Sequence, residues 1–508
     1  MSARHRLEWG TAGVAAVLAV VYLVLPPMGS DLSAQVARAE FFAAHGYTPI
    51  DLRWYAGVDQ LGYSLVSQPV MALLGVRLTG ALTLVASAVL LAVLLRRTGV
   101  PRPGAGALAG AACLAGNLVS GRVTYSLGVS FGLAALTLLT FRRLRPFAAV
   151  AAVLAAATSP VAGLFLGLAG AALLLSGRVG DGLLVAVPAA VPLGLTALWF
   201  GDGGWMNISH TDTLRAVVAS LVVALLVPAR PVRTGGVLSA LGVLAAALVH
   251  TPVGLNATRL AVMFTLPLLA AAAALPRRKL PLAVVLALVA AACWWQPPVV
   301  VGDLRDLGNP TASRDYFTPL RTRLGPEVLT GRLEIPPTRD YWESAHLGDV
   351  PLARGWLRQA DIARNPLFFG EIPGAAGTGV ALTADSYRAW LDETAVQFVA
   401  VPDAELTWSG RGEAALIAAG LPYLTEIWRD RHWHLYRVTA PQPIVAAPAT
   451  LVSQDAASIT FRTEQAGPVV VRVRHNRWLR VDGGATPARA GDWTLVRVPH
   501  AGRYTLTS

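Results

Sequence analysis

Asp31 heads the run Met28-Gly-Ser-Asp-Leu-Ser-Ala-Gln-Val-Ala-Arg-Ala-Glu-Phe-Phe, just past the first apolar stretch, Gly10 to Leu25. A carboxylate at the outer mouth of a first membrane helix lies where bilayer and water meet. It can meet a lipid-linked substrate that cannot leave the membrane, which makes it a functional candidate. Asp is also a favoured helix N-cap, because its side chain accepts a backbone N–H bond from the next turn. The two readings are compatible. Asp51 and Asp59 are the alternative acids if the loop folds differently.

The elements that must position these acids follow from composition. Hydrophobic residues make up 54% of the 508 residues and charged residues only 14%, against about 25% charge in a soluble domain. The chain reads as a multi-pass membrane protein. Its apolar runs stop at Cys293-Trp294-Trp295, and from Gln296 on it is polar, with regular Pro, Gly and charge. The net charge of +12 is almost all arginine, Lys279 being the only lysine. Much of it sits in short loops between spans, where it sets topology and meets anionic lipid. Nucleic acid is not an expected partner. Cys113 and Cys293 lie inside apolar runs and form no metal-binding spacing. The first helix, ending at Leu25-Pro26-Pro27 without a clean cleavage site, reads as a retained anchor.

About eleven spans are expected, roughly 10–26, 77–95, 104–119, 125–141, 146–159, 161–177, 183–200, 216–229, 236–250, 260–276 and 281–296. Several are short for a straight crossing. Arg4 and Arg6, Arg96-Arg97 with Arg102, Arg142-Arg143-Leu144-Arg145, Arg178, Arg230 with Arg233, and Arg277-Arg278-Lys279 all fall on one side. By the positive-inside rule that side is cytoplasmic. The N-terminus is then inside and the C-terminal part outside the plasma membrane. Reporter fusions should place Arg97, Arg143 and Lys279 inside and Gly203 and Ser508 outside; a cytoplasmic Ser508 would overturn this topology.

The first outer loop, 27–76, is long for a bundle of short connections, and such loops tend to be functional. Leu32, Val36, Phe41 and Phe42 recur at near-helical spacing, predicting an amphipathic helix over Leu32 to Ala44 that lies on the membrane. Asp51-Leu-Arg-Trp-Tyr-Ala-Gly-Val-Asp follows. Trp54 and Tyr55 could stack on a sugar ring, or form an interfacial aromatic belt beside an Asp–Arg pair.

The long loop, the acid after the first span and the outer C-terminal domain together resemble the GT-C glycosyltransferase superfamily. Gly-Ser-Asp-Leu-Ser-Ala-Gln-Val-Ala-Arg-Ala, Asp-Leu-Arg-Trp-Tyr and Pro351-Leu-Ala-Arg-Gly-Trp-Leu-Arg-Gln-Ala-Asp resemble uncharacterised actinobacterial membrane proteins. Some of those carry a label relating them to a 6-pyruvoyl-tetrahydropterin synthase-related membrane domain. The GT-C resemblance implies that Asp31 deprotonates an acceptor hydroxyl, with a polyprenyl-phosphate sugar as donor and inversion at the transferred carbon. The loop has no Asp-Glu pair after Asp31 and no Asp-x-Asp, so neither a divalent metal nor another cofactor is supported. A departing phosphate needs cationic donors, and guanidinium matches its geometry. Arg53, Arg122 and Arg259 are the outer-side candidates. Each could instead snorkel or pair with a nearby acid. Asp202, His210 and Asp212 in a Gly-rich turn are a weak metal signal.

Beyond the spans, 297–440 is expected to be an α/β domain. Gly331 to Ile335, Val396 to Val401, and the hairpin Leu424 to Trp428 with His432 to Val438 read as strands; Ala384 to Glu393 and Glu413 to Ala419 read as helices. Pro441, Pro443 and Pro448 mark a linker, and 446–508 alternates with period two, as in a small β-sandwich. Asp340-Tyr-Trp-Glu and Arg354-Gly-Trp-Leu-Arg-Gln-Ala-Asp offer Trp342 and Trp356 as sugar platforms, or else form Arg–acid networks beside core tryptophans. The function expected is sugar transfer from polyprenyl phosphate to an envelope glycan or glycolipid, with membrane lipid as partner. The alternatives are a non-catalytic envelope-assembly protein that binds lipid-linked glycan, and a transporter of lipid-linked sugar. A transporter should show inverted repeats and mid-membrane charge, and neither is visible.

Overall fold

The computed structural model describes residues 5–201, 203–274 and 281–508. Arg4, Asp202 and Arg277-Arg278-Lys279 of the sequence reading lie outside them. Helices occupy each expected apolar stretch: α1 (Arg6–Val24), then α4 (Val76–Arg97), α5 (Pro103–Val119), α6 (Val123–Leu138), α7 (Phe147–Thr158), α8 (Pro160–Leu175), α9 (Val179–Trp199), α10 (His210–Leu226), α11 (Arg230–Leu248), α12 (Arg259–Ala272) and α13 (Leu282–Trp295). Between α1 and α4 the loop forms α2 (Leu32–His45) and α3 (Ser67–Leu74). Among the described residues five segments are long and apolar enough to cross a membrane: α1, α4, α9, α11, and α12 with the turn before it. The others are shorter than a straight crossing needs.

Small residues let these helices touch. A Cβ added at Gly106 of α5 would lie 2.4 Å from the Ala271 side chain of α12, and one at Gly110 would lie 2.2 Å from Leu91 of α4. The Gly/Ala-rich run of α5 therefore works as a packing face, as small residues do between membrane helices.

The α2 helix departs from the expected surface helix. Gln35 and Arg38 are fully buried along with Leu32, Ala34 and Ala37. Gln35 takes the Thr124 hydroxyl of α6 at 2.6 Å and donates to the Tyr63 hydroxyl at 2.8 Å. On the other side, Ser33 donates to the Asp340 carbonyl at 2.5 Å. Protein therefore covers both its polar and its apolar faces.

After α13 come α14 (Val301–Leu304), α15 (Arg314–Leu324), α16 (Glu343–His346), α17 (Arg358–Arg364), α18 (Ala384–Glu393) and α19 (Trp408–Ala418). The loop strands β1 (Ile50–Asp51) and β2 (Val58–Asp59) pair with each other. A mixed sheet runs in the order β3 (Arg332–Glu334), β4 (Val396–Pro402), β6 (Trp433–Val438), β5 (Leu424–Arg429), with β3 parallel to β4. The last strands are β7 (Thr450–Gln454), β8 (Ser458–Thr463), β9 (Gly467–Arg474), β10 (Arg480–Val481), β11 (Thr486–Ala490), β12 (Trp493–Val498) and β13 (Gly502–Thr507). They form two sheets, β10-β13-β8-β7 and β11-β12-β9. Phe461 and Tyr504 of the first share one core with Val471 and Val496 of the second. Ile50 and Leu52 of the first loop enter the same core. The proline-marked stretch is packed too: Ile444 and Val445 are buried.

A buried charge network holds the mixed sheet to α17 and α19. Arg354 contacts Asp361 at 2.9 Å, Glu413 at 3.1 Å and Glu334 at 3.8 Å, and Tyr387 donates to Glu413 at 2.8 Å. Burial pushes the Glu413 carboxyl up to about 7 despite Arg354, and pushes Glu334 well up. Burial also raises Glu343 to about 7, and Asp340 to about 7 with help from Asp306.

A carboxyl raised in the folded state keeps a proton that the unfolded chain has lost. Its stabilising effect is full below the unfolded pKa of about 4 and fades as pH rises through the folded value. His346, held down to about 4 by burial, runs the other way and loses its contribution as pH falls from about 6.5 to 4. Burial also raises Asp306 to about 6 and lowers His475, so the raised acids outnumber the lowered histidines. The melting temperature of the purified protein should therefore fall between about pH 5 and 8. Glu413→Gln should flatten that slope; a melting temperature that climbs across the window would contradict the assignment.

Candidate functional site

Two glycines bring Asp31 to its neighbours. Gly29 adopts φ +103°, and a Cβ there would sit 2.3 Å from the Val119 carbonyl oxygen. Gly121 adopts φ +74°, and a Cβ there would sit 2.5 Å from the Leu32 nitrogen. Only glycine allows both the conformation and the approach. The Asp31 N–H then donates to the Ser120 carbonyl at 3.1 Å, against the α5–α6 turn that carries Arg122. Arg259 arrives from the start of α12.

Asp31 occupies the N-cap position of α2, but its side chain makes no capping bond. It turns instead to two guanidiniums. Arg122 Nε lies 3.4 Å and Arg259 Nη2 3.1 Å from Asp31 Oδ2. The three side chains retain 19%, 17% and 14% exposure for Arg122, Arg259 and Asp31, so the cluster is largely sheltered yet reachable. Among the described residues no hydrogen bond reaches Asp31 Oδ1. With both arginines on Oδ2, the other carboxylate oxygen is left to accept from an incoming hydroxyl.

Other side chains close around it. Trp356 donates its indole N–H to the Ser30 carbonyl at 3.0 Å and meets Tyr63 edge-on, with 6.1 Å between centroids. The Arg38 guanidinium lies 4.1 Å from the centre of the Tyr63 ring, and Arg259 lies 5.4 Å from that of Tyr125. Burial opposes the charge of Arg358, but Tyr341, Asp31 and Asp361 outweigh it and raise its pKa. Tyr341 sits at φ +57°, an uncommon backbone for a bulky residue. Asp303 accepts the Ser120 hydroxyl and, at 3.4 Å, the Ser30 N–H.

The structure thus gathers Asp31, Arg122, Arg259 and Trp356 and places the other candidates elsewhere. Asp51 is fully buried, binding Arg53 at 2.7 Å and accepting from Gln60 at 2.9 Å. Arg53 also reaches the Ala37 carbonyl at 3.1 Å, so this pair fastens the loop to α2. Asp59 accepts from Asn476 at 3.1 Å, joining the loop to the last sheets. Trp54, Tyr55 and Trp342 are core residues, with Trp54 donating to the Ser344 carbonyl and Tyr55 to that of Gly355. Trp342 stacks on His346 at 4.9 Å. Asp212 takes part in capping α10 with Ser209. Among the described residues no group of three or more His, Cys, Asp or Glu side chains is arranged to hold a metal ion.

Gln35, Arg38 and Asp303 are not singled out by the sequence, whereas Tyr341 and Arg358 lie within its two sugar-platform clusters. Gln35 and Arg38 carried a signal: they follow Asp31 by four and seven residues, which puts all three on one helical face.

No family model and no characterised protein sequence matches the chain. Solved structures do. The arabinofuranosyltransferase AftD from Mycobacteria aligns with 92% of this chain at 16% identity and a TM-score of 0.45. The chain spans only 41% of that protein's length. ArnT from Cupriavidus metallidurans in the apo state aligns over 86% of this chain and 98% of its own, at 14% identity and a TM-score of 0.47. ArnT bound to undecaprenyl phosphate aligns over 85% and 97%, at 13% identity and a TM-score of 0.41. Likeness at this distance assigns no role to any residue, so the chemistry rests on the cluster at Asp31.

Proposed function

We propose that the chain is a GT-C-type membrane glycosyltransferase. It would move a sugar from polyprenyl phosphate to a cell-envelope glycan or glycolipid at the outer face of the plasma membrane. The observation that carries this reading is one carboxylate at the head of the first outer loop, with two arginines on a single oxygen. General-base transfer to a hydroxyl needs a base and, beside it, cations for a departing phosphate. The cluster supplies both.

In the proposed reaction the acceptor O–H bond breaks and its proton passes to Asp31. The acceptor oxygen bonds to the anomeric carbon from the face opposite the phosphate. The bond from that carbon to the phosphate oxygen breaks, and its electron pair leaves on polyprenyl phosphate. Arg122 and Arg259 hold the departing charge, and the product is inverted. Asp31 contacts both arginines, so a donor phosphate competes with it for them. Trp356, beside Ser30, is the one sugar-platform candidate that reaches this cluster. Residues 1–296 form the membrane domain in this reading, and 297–440 and 446–508 are the outer modules that cover it.

The test is transfer itself. Membranes containing the protein, given a labelled polyprenyl-phosphate sugar and envelope glycan, should form labelled glycan and free polyprenyl phosphate. Label that stays on the lipid across sugar donors would end the proposal.

A further inference from the structure

A second site lies away from Asp31, where three parts of the chain meet. A small cavity is lined by Tyr55 and Ala56 of the first outer loop, Arg332 of β3, Arg364 of α17, Thr394, Arg474 of β9 and, facing them, Trp493 of β12. It offers about 10 Å³ to the centre of a water-sized particle. That is about the least space that holds one water, so a halide, being larger, enters only if the lining arginine side chains give slightly.

Its lining is cationic. Arg332 is buried at 2% exposure. Its Nη1 donates to the Thr394 carbonyl at 2.7 Å and its Nη2 to that of Arg472. Among the described residues no carboxylate pairs with it, and its buried Nε–H has no acceptor. Arg474 Nη1 pairs with Asp492 at 2.8 Å, yet its Nε–H is also buried without an acceptor. Arg364 donates to the Gly57 carbonyl at 2.8 Å. Glu393 accepts the Trp493 indole N–H at 2.7 Å. Burial, with Arg474 and Arg472 nearby, pushes Arg332 down to about 9, so it remains charged at neutral pH. A buried cation without a counter-charge is strongly disfavoured.

We propose that this cavity binds one small monovalent inorganic anion of the halide class, held by the Nε–H groups of Arg332 and Arg474. Sulfate and phosphate are too large for the space. The ion would supply the charge that Arg332 lacks and clamp the loop turn at Tyr55 and Ala56 to the outer sheets. That turn is backbone-strained, with φ +53° and +61° at non-glycine residues, and Arg474 already donates its N–H to the Ala56 carbonyl at 2.9 Å.

The full-length protein in detergent should melt several degrees higher in sodium bromide than in sodium gluconate at equal ionic strength. The shift should saturate with bromide concentration, as site binding requires. Arg332→Met should lose the bromide dependence and melt in gluconate no lower than the parent, because the unpaired charge is gone. Replacing the exposed Arg503 with Met should leave the dependence intact. Bromide-soaked crystals of the unmodified protein should show anomalous density between Arg332 and Arg474, which decides the matter even if Arg332→Met does not fold. Equal melting in the two salts, an unchanged bromide shift in Arg332→Met, or a cavity without bromide density would each overturn the proposal.

Discussion

Asp31→Asn is expected to cut sugar transfer by roughly 10²–10⁴-fold, the usual worth of a general base. The substitution keeps the side chain's shape and removes only its ability to take a proton and its charge. The capping reading no longer competes, because the side chain makes no capping bond. What does compete is a purely structural ion pair with Arg122 and Arg259. The two roles separate when rate and stability are measured together. Loss of a base lowers the transfer rate at saturating donor, while melting changes little. Loss of a structural pair lowers melting first, with activity falling in proportion to folded protein. Asp51→Asn supplies the contrast, since Asp51 is fully buried against Arg53 and Gln60. It should damage folding and leave the rate per folded molecule near normal. Full activity in Asp31→Asn would remove Asp31 from the mechanism.

Arg354→Met should give the largest loss of stability of any single substitution beyond α13. It keeps much of the side chain's volume against Phe368, whose ring centre lies 4.0 Å from the guanidinium. It also leaves Asp361, Glu413 and Glu334 facing one another without a cation. Breaking a buried charge network from one side costs about 3–5 kcal/mol. A large drop in melting temperature at pH 7.5, or loss of folded protein, is the expected result. Adding Glu413→Gln should restore part of it, by removing one of the buried carboxyls left without a cation. Normal melting of Arg354→Met would show that the network carries little of the stability of this region.

Periodicity in the sequence located the apolar helices well, because an apolar run of helical length has few other folds open to it. The capping box at Thr383 and Ser386 likewise marks the start of α18 where the sequence places it. Where local signals were mixed, boundaries slipped. The α19 helix begins at Trp408 rather than Glu413, because Trp408-Ser-Gly-Arg-Gly resembles a turn. Strand β11 carries a weak strand signal since it contains Pro487, tolerated there because β11 is an edge strand. Strand β7 is also an edge strand, and a bulge interrupts its alternation.

The site was legible in its residue types but not in their pairing. Asp31, Arg122 and Arg259 stand out as charges at the ends of apolar runs, but Arg259 lies 228 residues from Asp31 and only the folded bundle joins them. Aromatic residues misled for a physical reason. A tryptophan beside an Asp–Arg pair reads the same whether it faces a sugar or a core, and Trp54 faces a core.

The most direct measurement is the affinity of the purified protein for polyprenyl monophosphate, in three forms compared side by side. The unmodified protein should bind it saturably. Arg259→Met should bind at least about tenfold more weakly, the loss of one charge-assisted phosphate contact. Asp31→Asn should bind as tightly or more tightly while failing to transfer sugar, because the carboxylate that competes for both arginines has lost its charge. Binding that is absent in all three, or unchanged in Arg259→Met and weakened in Asp31→Asn, would contradict a phosphate site built on Asp31, Arg122 and Arg259.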